Sequence, residues 1–178
     1  ADHGEMLGEK GVLGHTAGLY EPVLHVPLLI HHPDFGALHG RRLGQLVQRV
    51  DLMPTLLDFA GAAYDPAQFQ GRSLLPLFRD PAAPWRGYAF AASKRNLSVL
   101  GNLDIEERVA RDERWKLHHY LYNDAYELYD LKRDPLETTN VAAQHPDIVA
   151  ELSFQLIGFM ERNRPHAPGP VMQPRQEF

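Results

Sequence analysis

Asp2, His3, Gly4 and Glu5 stand side by side near the start of a 178-residue chain, joining an anionic oxygen donor, an imidazole and a chain-reversing glycine. That set suits a divalent cation held where a strand ends, since hard cations take oxygen donors and imidazole serves the softer ones. Two adjacent ligands do not fill a coordination shell, and the same tetrapeptide can instead cap a turn. Glu5 and Lys10 share the glycine-rich stretch that follows and read as solvated charges. His31-His32 ends a short apolar run, a place where ligands of open α/β sheets gather, although a turn before Pro33 is the plainer role. His118-His119 alternates along a strand pattern, one ring to each face, which argues against joint ligation.

The elements that must hold these residues follow from spacing. Residues 1 to 25 carry Gly4, Gly8, Gly11, Gly14 and Gly18 and read as a long functional loop. Val26 to Ile30 is an apolar run that predicts a buried strand with Pro27 near its start. Val47, Val50, Met53, Leu56, Leu57 and Ala60 have helical spacing, with Asp51 placed as N-cap, Pro54 in the first turn and Gly61 as the stop. Residues 62 to 87 are proline-rich and read as a surface connection. Four segments, at 88–92, 108–111, 115–122 and 125–131, are aromatic or β-branched, and their short connections predict an antiparallel meander. Pro146 opens a helix with Val149, Leu152, Leu156, Phe159 and Met160 on one stripe, Pro165 closes it, and a disordered tail is expected from Ala167.

Length and composition, with 44% hydrophobic and 23% charged residues, fit one compact core with a small annex. The net charge of -5 and the isolated pairs Arg41-Arg42 and Lys132-Arg133 lack the footprint of a nucleic-acid binder. No apolar run reaches membrane-spanning length. The absence of cysteine removes disulfides, zinc–thiolate sites and any cysteine-derived nucleophile from these residues, and it does not fix a compartment. Without an initiator methionine or a leader pattern, the chain reads as the interior of something longer.

The stretch Ala1-Asp2-His3-Gly4-Glu5-Met6-Leu7-Gly8-Glu9-Lys10-Gly11, with Gly14-His15, Leu19-Tyr20-Glu21-Pro22 and Val26-Pro27-Leu28-Leu29-Ile30, resembles the C-terminal metal-binding segment of the sulfatase family. Residues 50–61, Gln70-Gly71-Arg72-Ser73-Leu74, Glu127-Leu128-Tyr129-Asp130-Leu131, Asp134-Pro135-Leu136-Glu137 and Asn140 agree with it in family order. The resemblance implies an α/β, alkaline-phosphatase-like fold. Residues 1–87 would be the C-terminal part of the mixed-sheet catalytic domain, 88–166 a small antiparallel sheet with a terminal helix, and 167–178 a tail.

The resemblance further implies a divalent metal, calcium first and manganese or magnesium as alternatives, with Asp2 and His3 supplying part of its ligand set. The family nucleophile, a formylglycine made within a Cys/Ser-x-Pro-x-Arg motif, would lie in a segment absent from this chain, so the isolated chain is expected to be inactive. His15 stands where many members have a lysine, which implies contact with the substrate anion or protonation of the leaving group; a loop histidine bonded to a carbonyl is the alternative. The implied reaction is hydrolysis of a sulfate ester, small-molecule or carbohydrate, with a phosphodiesterase or phosphonate monoester hydrolase of the same superfamily, or a non-catalytic C-terminal module, as alternatives. An exposed sheet edge would allow self-association.

Overall fold

The computed structural model describes residues 1–16, 18–34, 40–97 and 103–163, the backbone alone at 95–97 and 103–105. In chain order the elements are β1 (Met6–Leu7), β2 (Leu13–Gly14), α1 (Glu21–Leu24), α2 (Leu52–Phe59), α3 (Leu75–Arg79), β3 (Ala89–Leu97), β4 (Leu103–Arg111), β5 (Trp115–Tyr120), β6 (Ala125–Asp130) and α4 (Pro146–Arg162). β1 and β2 form a hairpin, and β3 to β6 form an antiparallel meander in sequence order. The predicted meander and terminal helix are therefore both present, with β3 and β4 extending further than their apolar residues suggested. The tail expected from Ala167 lies outside the described residues.

Cross-strand register explains why the meander has two different faces. Ala110 pairs Leu117, and Leu117 pairs Leu128, so these three side chains line one face. They pack on Leu152 and Leu156 of α4, all five being at most 3% exposed. Phe90 stacks on Phe159 at 4.4 Å between centroids, closing the far end of this layer. One residue along each strand the side chains point the other way. Val109, His118 and Glu127 form one row of that second face, and Arg111, Lys116 and Tyr129 form the next. This polar face receives the N-terminal loop.

Three expectations change. Val26 to Ile30 forms no strand, and Leu29 is 87% exposed; among the described residues no strand lies beside it to share backbone hydrogen bonds. α2 forms where its spacing predicts, yet Met53 and Leu56 of its apolar stripe are 54% and 59% exposed, while Pro54 and Thr55 face inward. Asp51 does not cap α2 with its side chain. It closes the preceding turn instead, accepting the Gln48 amide at 2.7 Å, the Arg72 amide at 2.9 Å and both terminal nitrogens of Arg86. Burial drives the difference, because a carboxylate with no exposed surface needs charge-assisted partners that a helix terminus alone does not supply.

Candidate functional site

The β1–β2 hairpin sets the geometry of the site. Met6 pairs Gly14 and Leu7 pairs Leu13, so the next residues outward, Glu5 and His15, come face to face. His15 Nδ1 lies 2.5 Å from Glu5 Oε1. A carboxylate oxygen facing an imidazole nitrogen calls for a donor, so Nδ1 carries the hydrogen and Nε2 is left pointing away from the pair. Gly14 allows the turn into His15 with φ +94°, a region that side-chain-bearing residues rarely occupy.

His3 lies against the same ring, with centroids 4.1 Å apart. Its Nδ1 is 3.0 Å from the Gly4 carbonyl, which accepts only, so Nδ1 donates and Nε2 keeps its lone pair. Asp2 Oδ2 sits 3.9 Å from that Nε2. Bonds of about 2.0 to 2.5 Å from each atom to a shared cation can bridge such a gap. The Asp2 carboxyl is held below its ordinary range by its own backbone amide first and by the neighbouring His3 second, which favours the ligating, ionised form. Ligand atoms of His3, Glu5 and His15 all lie within 4.8 Å of one another and all three side chains are exposed. The donor set therefore fits a divalent cation with mixed oxygen and nitrogen ligands, and open positions remain for further ligands.

Glu5 and Lys10, both expected to be solvated charges, have partners instead: Glu5 faces His15, and the Lys10 ammonium donates to the Glu137 carbonyl and the Tyr129 hydroxyl. The register of a hairpin with its loop at residues 8–12 would have found Glu5, because His15 stands opposite it once Gly8 and Gly11 are read as turn positions. His31 and His32 do not join the group of His3, Glu5 and His15, and His32 packs on Phe59 of α2 with centroids 4.6 Å apart. His119 stacks on Tyr126 and bonds Asp124, whereas His118 is buried on the opposite face of the sheet, as alternation along β5 requires.

Behind the loop lies a polar cluster that the sequence did not signal. His118 bonds Glu107 through Nδ1 at 2.7 Å and Glu137 through Nε2 at 3.0 Å, and all three are fully buried. Lys116, also fully buried, pairs with Glu137 at 2.9 Å and with Glu21 at 3.1 Å. Burial works to raise the Glu137 carboxyl, but the His118 hydrogen bond, the Lys116 charge and the Glu21 amide outweigh it and hold it below its ordinary range. Tyr20, Tyr120 and Tyr129 all direct their hydroxyls at Glu127. Desolvation lifts Tyr20 to about 12, so these phenols remain donors at neutral pH.

The profile of the family described as N-sulphoglucosamine sulphohydrolase, C-terminal, matches residues 8–162. The chain belongs to the sulfatase family, in its C-terminal region. Mouse arylsulfatase K is 32% identical over 99% of the chain, which corresponds to 32% of that relative. The chain thus spans about a third of the length of the curated relatives it matches. A protein solved in complex with its substrate D-glucosamine-2-N,6-O-disulfate superposes with a TM-score of 0.71 at 28% identity, over 90% of this chain and 33% of that one. The phosphonate monoester hydrolase of Silicibacter pomeroyi does so with a TM-score of 0.72 at 29% identity, over 93% and 34%. The sulfatase chain shares the α/β, alkaline-phosphatase-like fold of these structures, and no helix among its described residues is long and apolar enough to cross a membrane.

Proposed function

We propose that the protein is a metal-dependent sulfuric ester hydrolase acting on a sulfated carbohydrate, in which Asp2 and His3 hold a divalent cation and His15 meets the substrate. The observation that carries this reading is the convergence of His3 with the Glu5–His15 pair at one end of the β1–β2 hairpin, with the Asp2 carboxylate 3.9 Å from His3. Sugar chemistry is favoured by the relative whose substrate is a disulfated glucosamine. Calcium suits the carboxylate-bearing donor set best, with manganese and magnesium as alternatives.

Each side chain has a definable task. Asp2 offers an ionised carboxylate, and His3 presents Nε2 because its Nδ1 is engaged by the Gly4 carbonyl. A cation bound there supplies Lewis-acid stabilisation of charge on the ester oxygens. Glu5 orients the His15 ring through Nδ1 and leaves Nε2 to contact an anionic oxygen or to donate a proton to the departing alcohol. The nucleophile, a formylglycine by family resemblance, belongs to a segment outside these residues. The division near residue 87 between catalytic and small-sheet parts, and self-association through an exposed sheet edge, belong to the same proposal.

The test uses the full-length protein. Metal content, and sulfate release from a chromogenic aryl sulfate and from sulfated monosaccharides, are measured for wild type and for Asp2→Ala and His3→Ala. Loss of both metal and turnover in the variants is expected; metal retained in full by both would remove Asp2 and His3 from the site. A second reading, hydrolysis of a phosphonate monoester or phosphodiester, is favoured by the likeness to the Silicibacter enzyme. Faster turnover of a phosphonate monoester than of any sulfate ester would establish it.

A further inference from the structure

The segment Asp134-Pro135-Leu136-Glu137 carries part of the family resemblance, and no step proposed above uses it. Glu137 is fully buried with φ +56°, a backbone conformation that is unfavourable for a residue with a side chain and persists where surrounding contacts over-determine it. Those contacts are specific. Oε1 accepts from His118 Nε2 at 3.0 Å and from Lys116 Nζ at 2.9 Å, both on β5. Oε2 accepts the backbone amide of Glu21 at 2.6 Å, and the Glu137 carbonyl accepts from the Lys10 ammonium.

Lys10 and Glu21 bracket residues 11–20, the segment that carries His15. We infer that Glu137 is a positioning residue of the site, fastening both ends of segment 11–20 to the small sheet and so fixing where His15 meets the substrate. The inference rests on the role given to His15 above. Its geometry has independent support from Glu107, whose Oε1 accepts the Leu19 amide at 3.2 Å while holding the other nitrogen of His118. His118 therefore links the two carboxylates that grip the far end of the segment. Lys116 and Arg111 complete the attachment by holding the Glu21 carboxylate at 3.1 and 2.7 Å.

A carboxylate is the group this position requires. Three donors converge on its two oxygens, and an amide would turn its own NH2 toward at least one of them. Glutamine at 137 keeps the shape yet loses an attachment, which makes it a sharp probe. Lys10→Met is the milder one, since it removes a single ammonium at an exposed stem and leaves the buried cluster intact.

Both variants are made in the full-length protein and read in two ways. Hydrogen exchange is followed in peptides covering 11–20 and in α4, and kcat and KM are measured with an aryl sulfate. For Glu137→Gln, exchange at 11–20 speeds up tenfold or more while α4 is unchanged, and kcat falls at least tenfold with KM altered less than threefold; Lys10→Met shifts both in the same direction by less. Unchanged exchange at 11–20 in both variants, or wild-type kcat in both, overturns the inference. If Glu137→Gln does not fold, Lys10→Met decides by the same criteria. If the wild type releases no sulfate, the assignment of activity fails, while the exchange data still decide whether Glu137 positions the segment.

Discussion

Arg86 grips Asp51 with both terminal guanidinium nitrogens, at 2.8 and 2.5 Å, around a carboxylate that has no exposed surface. The same carboxylate takes the amides of Gln48 and Arg72, so one side chain joins the turn before α2, the Gly71-Arg72 segment and the approach to β3. Removing one partner of a buried ion pair strands the other charge, at a cost of about 3–5 kcal/mol. Arg86→Met should therefore lose stability in that range by urea denaturation. Asp51→Asn combined with Arg86→Met should cost less than the sum of the two single changes, because the double variant buries no unpaired charge. Strict additivity would show that the pair is not coupled.

Gly4 is bound to its place by contact. Its amide donates to the Val23 carbonyl at 2.9 Å, and a Cβ built there would stand 1.9 Å from the Pro22 carbonyl oxygen. Gly4→Ala must push the Asp2-His3 segment away from α1, so the full-length variant should lose divalent-metal affinity by about tenfold or more, an effect of the size seen when supporting groups around ligands are removed. Gly71→Ala makes a comparable clash, its Cβ meeting the Val50 carbonyl oxygen at 2.0 Å, next to Arg49, whose guanidinium donates to the Asp2 carbonyl at 2.9 Å. It should lower the melting temperature and reduce metal affinity less than Gly4→Ala does. Equal metal affinity in wild type and Gly4→Ala, measured calorimetrically, would contradict the account.

What the sequence made legible follows from the range of the forces involved. The meander and α4 were readable because alternation and the Leu152, Leu156 stripe are local patterns that one hydrophobic face enforces. Family resemblance names Asp2, His3 and His15 as candidates, and glycine spacing marks the loop that carries them. The buried group of Glu107, Lys116, His118 and Glu137 was not readable, because residues of these types are mostly exposed, and it takes the register of β4 and β5 together with the turns after β6 to assemble them. Val26 to Ile30 misled for the converse reason: strand propensity is realised only beside a partner strand, and none is described next to it.

Glu5 and His15 separate orientation from chemistry. His15→Ala should lower kcat/KM of the full-length protein by about a hundredfold or more, the scale of a lost general acid. Glu5→Gln retains an oxygen able to accept from Nδ1 and should cost far less than Glu5→Leu, which leaves the ring without its 2.5 Å partner. A threefold or smaller loss in His15→Ala would assign the ring to a loop contact. Equal losses in Glu5→Gln and Glu5→Leu would instead tie Glu5 to its charge.

Acid sensitivity should trace in part to Asp130. Its carboxyl is held below the ordinary 3.8, first by hydrogen bonds from Arg114, which lies 2.7 Å away through Nη2, against a smaller opposing effect of burial. A carboxyl whose folded pKa is depressed binds its proton more readily when unfolded, so its stabilisation is fully present above about pH 4 and is lost as pH falls through the lower folded value. The partner residue is constrained as well, with the Arg114 guanidinium 4.6 Å above the Trp115 ring. Urea denaturation from pH 6 down to pH 2.5 should show stability falling steeply below pH 4 in the wild type and less steeply in Asp130→Asn, which has no proton to bind at this position. Parallel curves for the two proteins would mean that the pair contributes nothing to the acid limb.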